Sequence, residues 1–396
     1  MAENKKQPLS MDINHATLLE LIRRSQFGTA EGTAFGQGID WDAVCKEAAD
    51  QTVVGIVAPE VPRDVFSSSE KWQERANRHL SKYLRYHYAE QELVRVFDQA
   101  GIPFVIIKGS AAAMYYTHPE RREMGDIDFL VPQDLFDKAV ELMINNGYTK
   151  ETQEFTARTR HLEFTKRGIE FELHHHYSNG EFDIEDLLVE GIKDRTYVIV
   201  GDHKFPVLPR LQNGLLLLDH MRGHIVCGLG LRQTIDWMMF VHKELTDAFW
   251  KDHFQPVAKE KGLEQFAITV TRMCQLFFGL SEEITWCRDA DETLCEELLK
   301  TLLYEGNFGR KMGDGKKVET VFLHLRRPGL LKWLQREGER HWEAYKRHHW
   351  LKPFCWLYQS VRLAKRGLKA GRSYEEVSND YDRVKNKDEL LSKLGI

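Results

Sequence analysis

Met124-Gly125-Asp126-Ile127-Asp128-Phe129-Leu130-Val131 decides how the chain is read. It is a short apolar strand closed by Pro132, and its period of two puts Asp126 and Asp128 on one face while Ile127 and Phe129 take the other. Neighbouring carboxylates repel, so the pair calls for a cation, and hard oxygen donors suit Mg²⁺ or Mn²⁺ that also binds substrate phosphates. Upstream, Ile102 to Ile107 reads as a buried strand running through Lys108-Gly109-Ser110 into a helix over Ala111 to Tyr116. Such a turn offers backbone N–H groups and room for a phosphate. Downstream, Asp134 to Asn146 reads as a helix stopped at Gly147. Tyr148 to Tyr177 reads as strands, with Arg167-Gly168 as a hairpin turn. Phosphoryl chemistry on two ions asks for a third acid from a neighbouring strand. Glu170 and Glu172 alternate on one face of Ile169 to Leu173, and Glu172 is preferred because it lies nearer the end that runs into His174-His175-His176.

Outward from this centre the pattern is helical. Lys71 to Gln99 lacks Gly and Pro, carries apolar residues at helical spacing and ends at Gly101; only Val53 to Val57 hints at a strand before it. Helical spacing returns after Asp202. The expected organisation is a helical region over 1–100, an α/β core over 101–201, a helical region packing on it over 202–312, and a basic, aromatic-rich helical tail over 313–396. With 396 residues, 42% hydrophobic and 29% charged, the chain is ordinary for a globular protein. Six scattered cysteines without a C-x-x-C pair fit a reducing cytoplasm, and neither a secretory signal nor a spanning segment is expected. Phe322 to Arg372 holds 13 Lys/Arg against 3 Asp/Glu, so +10 there leaves −15 for the remainder of a chain of net charge −5. Basic residues interleaved with Trp342, Tyr345, Trp350, Trp356 and Tyr358 over 340–372 have three readings. Docking on the acidic remainder of the chain ranks first, then contact with an anionic membrane surface, then nucleic acid.

Ile107-Lys108-Gly109-Ser110, Met124 to Val131 and Phe171-Glu172-Leu173-His174 together resemble the G-S, D-x-D and single-acid signature of the polymerase-beta-like nucleotidyltransferase superfamily. More narrowly, they resemble its bacterial branch of uncharacterised nucleotidyltransferases. Arg122-x-x-Gly125-Asp126-Ile127-Asp128 and Gly230-Leu231-Arg232-Gln233-Thr234-Ile235-Asp236-Trp237 are similar to runs of that branch, and the resemblance spans roughly Gln91 to Val241. It implies an α+β fold, a small mixed sheet with helices behind it and helical regions on either side. Asp126, Asp128 and Glu172 would be catalytic metal ligands, with Glu172 also the base for an acceptor hydroxyl. Lys108, Gly109, Ser110 and Arg122 would lie on the nucleotide side, with Arg121 and Arg122 able to clamp a triphosphate.

The expected activity is transfer of a nucleoside monophosphate from an NTP, ATP foremost, to a hydroxyl of a small or carbohydrate-like acceptor. The alternatives are a non-catalytic nucleotide-binding adaptor, or a transferase acting on RNA or protein. His174-His175-His176 gives no zinc site by itself, since adjacent strand residues face opposite ways and no other ligand sits nearby in sequence. His220 and His224 read as helix-packing residues, and Arg232 with Asp236 as an i, i+4 ion pair.

Overall fold

The computed structural model describes residues 11–28, 35–151, 160–177, 183–226, 228–312, 330–369 and 374–396. The chain divides into two compact units, residues 1–311 with 394–396, and residues 312–393.

In the first unit, helices α1 (Ile13–Phe27) and α2 (Trp41–Asp50) are each capped by the side chain of the preceding residue, Asp12 and Asp40. The long α3 (Glu70–Ala100) follows, and it stops where Gly101 takes a left-handed conformation (φ 66°), the helix end its sequence predicts. Then come β1 (Val105–Ile107), the single turn α4 (Gly109–Ala113), β2 (Ile127–Leu130), α5 (Phe136–Asn145), β3 (Thr149–Lys150), β4 (His161–Lys166), β5 (Ile169–His174), α6 (Glu185–Lys193), β6 (Thr196–Val200) and β7 (His203–Val207). Helices α7 (Arg210–Ile225), α8 (Leu231–Glu244), α9 (Glu264–Phe278) and α10 (Glu292–Glu305) follow, with shorter helical segments between and after them.

The seven strands form one mixed sheet in the order β3-β4-β5-β2-β1-β7-β6. β2 runs antiparallel to β1 and parallel to β5, while β7 lies parallel to β1 on its other side. The fold is therefore α+β. The sheet continues to Val207, past the last residue at which strands were expected. β4 and β5 join through Arg167 (φ 52°) and Gly168 (φ 69°), both left-handed, as a two-residue hairpin turn matched to strand twist requires.

One face of the sheet is the core. Ile127 and Phe129 of β2, Phe171 and Leu173 of β5, Ile106 of β1 and Phe205 of β7 are buried with Leu93 and Phe97 of α3. The Phe97 ring stands edge-on to Phe129 at 5.2 Å. Because β2 alternates, filling this face with Ile127 and Phe129 sends Asp126 and Asp128 to the opposite one.

Residues 54–57 are a short buried helix, not the strand that Val53 to Val57 suggested. A short, fully buried apolar run has no period to distinguish the two. The decision comes from outside the segment, since Glu123 Oε1 accepts the Val54 and Gly55 N–H groups at 2.6 and 3.4 Å.

Glu47 of α2 ties this region to the end of the unit, receiving Lys311 Nζ at 2.8 Å. Burial alone would raise its carboxyl; His15, Lys311 and Gln51 outweigh that and bring it down to about 2. A depressed acid contributes stability above its unfolded pKa, near 4.3, and that contribution is lost as pH falls toward about 2. Glu47→Gln is expected to be less stable than wild type at neutral pH and to lose less stability between pH 4.5 and 2, as read from urea midpoints. Parallel pH curves for the two proteins would refute the assignment.

In the second unit, α11 (Leu330–His341) and α12 (Cys355–Lys369) cross so closely at Gly338 that a Cβ there would lie 1.9 Å from the Cys355 carbonyl oxygen. Trp342 and Tyr358 stack at 4.9 Å, so two tail aromatics serve packing, whereas Trp350 (71% exposed), Phe354 and Trp356 stand out in solvent. Helix α13 (Tyr374–Lys393) follows. No helix among the described residues is long and apolar enough to cross a membrane.

Candidate active site

The acids meet where β2 and β5 run side by side. The parallel register sets Asp128 opposite Glu172, and Asp126 precedes β2 on the same face as Asp128. Carboxylate oxygens of Asp126, Asp128 and Glu172 all lie within 4.8 Å of one another. Glu170 is exposed and outside this group.

The three carboxyls differ in their electrostatics. The charge on Asp128, and after it burial, push the Asp126 carboxyl above the usual range, so the aspartates repel in a place where water screens them poorly. Glu172 is opposite in sense. Burial would raise it, but His174 and the Lys108 charge pull it down to about 2, leaving it ionised at neutral pH.

Lys108 and His174 both lean on the acids. Lys108 Nζ lies 2.5 Å from Asp128 Oδ1. Burial works against the Lys108 ammonium, yet Asp128, Tyr177 and Glu172 hold its pKa above the ordinary value. His174 Nε2 sits 3.0 Å from Asp128 Oδ1 and 3.2 Å from Glu172 Oε2, and these bonds raise its pKa against the effect of burial. Three oxygen donors so close, with one carboxyl still strained by its neighbour, fit a divalent cation of the Mg²⁺ or Mn²⁺ kind.

The remaining predicted residues hold the frame. Lys108, at φ 55°, turns the chain from β1 into α4. Ser110 Oγ donates to Glu90 Oε2 at 3.0 Å, and the buried Glu90 bonds His203 Nε2 at 2.8 Å through its other oxygen. Tyr83, His87, Met124, His203 and Phe205 line a cleft beside Ser110. Arg121 pairs with Glu60 at 2.9 Å.

Arg122 grips Asp236 of α8 through two bonds, Nε to Oδ1 at 2.7 Å and Nη2 to Oδ2 at 2.8 Å, and Tyr116 OH adds a third to Oδ1 at 2.7 Å. Asp236 thus pairs with Arg122 rather than with Arg232, correcting the i, i+4 pair expected within α8. Arg232 Nη1 instead donates to the Glu123 carbonyl at 3.0 Å. Both arginines therefore fix the loop that delivers Asp126.

One functional candidate escaped sequence reasoning. His161 of β4 pairs in register with His174, and its Nε2 lies 3.7 Å from Glu172 Oε1. The signal was present, since a two-residue turn at Arg167-Gly168 fixes which residues of β4 and β5 stand opposite. His220 and His224 pack ring to ring at 4.3 Å on α7.

A mixed sheet with Asp128 on its second strand, Asp126 just before that strand and a third carboxylate on the parallel neighbour is the arrangement that the nucleotidyltransferase resemblance implies. The chain belongs to the uncharacterised nucleotidyltransferase family, whose model matches residues 37–279. That match contains the whole span of the resemblance read from the sequence and extends beyond it on both sides. The family supports nucleotidyl transfer as the general activity. The crystal structure of an antigenic nucleotidyltransferase-like protein from Paracoccidioides brasiliensis is similar over 51% of this chain and 94% of that one, at 12% identity and a TM-score of 0.31. No match was found among curated proteins.

Proposed function

We propose that the protein moves a nucleoside monophosphate from an NTP, ATP foremost, to a hydroxyl of a small or carbohydrate-like acceptor. The acceptor oxygen forms a bond to the α-phosphorus, the bond between that phosphorus and the α–β bridging oxygen breaks, and pyrophosphate leaves. The observation that carries this reading is the convergence of Asp126, Asp128 and Glu172 within 4.8 Å. In this reading Asp126 and Asp128 hold divalent ions, Mg²⁺ or Mn²⁺, with Glu172 completing the acceptor-side position. Such ions, when bound, supply Lewis-acid stabilisation of the charge developing on the phosphoryl group.

The chain's own groups do the rest. Glu172, ionised at neutral pH, takes the acceptor's proton. Lys108 and the Gly109-Ser110 backbone lie on the nucleotide side. Arg122 acts through Asp236, keeping the Asp126 loop in place. Positioning and fixed charge lower the barrier.

The test is incubation with each α-labelled NTP and a panel of hydroxyl acceptors, with and without Mg²⁺ or Mn²⁺. Label is expected to pass from one NTP to an acceptor only when a divalent ion is present, with stoichiometric pyrophosphate. Transfer that persists in excess chelator would refute the proposal.

A further inference from the structure

Beyond the three-acid centre, the β4–β5 ladder builds a second donor set of different chemistry. The register pairs His161 with His174 and Glu163 with Glu172, so two imidazoles and two carboxylates stand as a two-by-two patch on one face of the hairpin. Within it, nitrogen atoms of His161 and His174 and an oxygen of Glu172 all lie within 4.8 Å of one another. His161 Nε2 is 3.7 Å from both Glu172 Oε1 and Glu163 Oε1, and His174 Nε2 is 3.2 Å from Glu172 Oε2. The imidazole rings lie 4.9 Å apart. His174 is buried at the floor and His161 stands at the partly open rim, so an ion can enter past His161.

Hard cations such as Mg²⁺ prefer all-oxygen sites, whereas imidazole suits borderline ions. Two histidines and one carboxylate with an open fourth position form a donor set that binds Zn²⁺. We propose that His161, His174 and Glu172 form a binding site for a borderline divalent transition-metal ion of the Zn²⁺ class. It shares Glu172 with the oxygen-only centre of Asp126 and Asp128. The hairpin preorganises this site, because the two-residue turn fixes the pairing and both histidines come from hydrogen-bonded strands.

The test measures Zn²⁺ affinity of the full-length protein by competition with a chromogenic chelator, without nucleotide, so its outcome is separate from that of any transfer assay. Wild type is expected to bind one Zn²⁺ that millimolar Mg²⁺ does not displace. His161→Ala, at the rim where a fold defect is least expected, should weaken that binding by about 100-fold, since lesser changes around a metal already cost tenfold to 100-fold. Co²⁺ at the same site should show visible absorption bands that change in His161→Ala. Asp126→Asn should keep the Zn²⁺ affinity. Equal Zn²⁺ affinity in wild type and His161→Ala would overturn the site, because the ion would then be held by the acids or by cysteines. Absence of one-to-one binding by wild type would overturn it as well.

Discussion

Asp128→Asn is expected to reduce nucleotidyl transfer by about 10³-fold or more while leaving the melting temperature within a few degrees of wild type. Lewis-acid charge stabilisation of phosphoryl transfer is worth several kcal/mol, and about 4 kcal/mol is three decades of rate. Asp128 is only 2% exposed and faces Asp126 and Glu172, so no solvent-exposed acid replaces it at that point. The fold should survive because the other side of β2, Ile127 and Phe129, carries the packing. Asparagine also keeps the side chain's size and a carbonyl oxygen for Lys108 and His174. The measurement is pyrophosphate release with the acceptor that wild type turns over, together with thermal unfolding. An Asp128→Asn protein that folds and retains wild-type turnover would remove Asp128 from the chemistry.

The second large effect concerns stability. Asp236→Leu is expected to cost about 3–5 kcal/mol, because it leaves the buried Arg122 guanidinium without its two-bond partner. Arg122 is 4% exposed and Asp236 2%, so water cannot take the place of either. The double variant Arg122→Met, Asp236→Leu should regain a large part of that loss, since replacing both members of a buried pair by apolar side chains is often neutral. Tyr116 loses its acceptor in both variants and keeps recovery from being complete. Urea unfolding of the two single variants and the double variant reads the coupling directly. Additive losses would mean that the pair does not hold the Asp126 loop to α8.

The aspartate pair was legible because a strand's period of two is visible in eight residues, and the Arg167-Gly168 turn because a glycine between two alternating apolar runs marks a short hairpin. Glu170 and Glu172 could not be separated by the same logic, as both sit on one face of β5. The parallel register sets Asp128 opposite Glu172, and register between strands so far apart in sequence leaves no local trace. Arg122 with Asp236 is a contact of the same kind, joining residues 114 apart, while the nearer Arg232 drew the local reading toward a helix pair. His161 was within reach, since counting outward from the turn places it opposite His174. At Val53 to Val57 the side chains were equally content in helix or strand, and distant Glu123 decided.

The most direct test of the central claim, that Asp126 and Asp128 form a metal-dependent nucleotide site, is a thermal-shift series with the four NTPs, with and without Mg²⁺ or Mn²⁺. It compares wild type with the Asp126→Asn, Asp128→Asn double variant. A ligand that binds only the folded state raises the melting temperature by mass action. A rise is expected with at least one NTP, needing the divalent ion and disappearing in the double variant. No rise with any NTP, or an equal rise in the double variant, would contradict the claim.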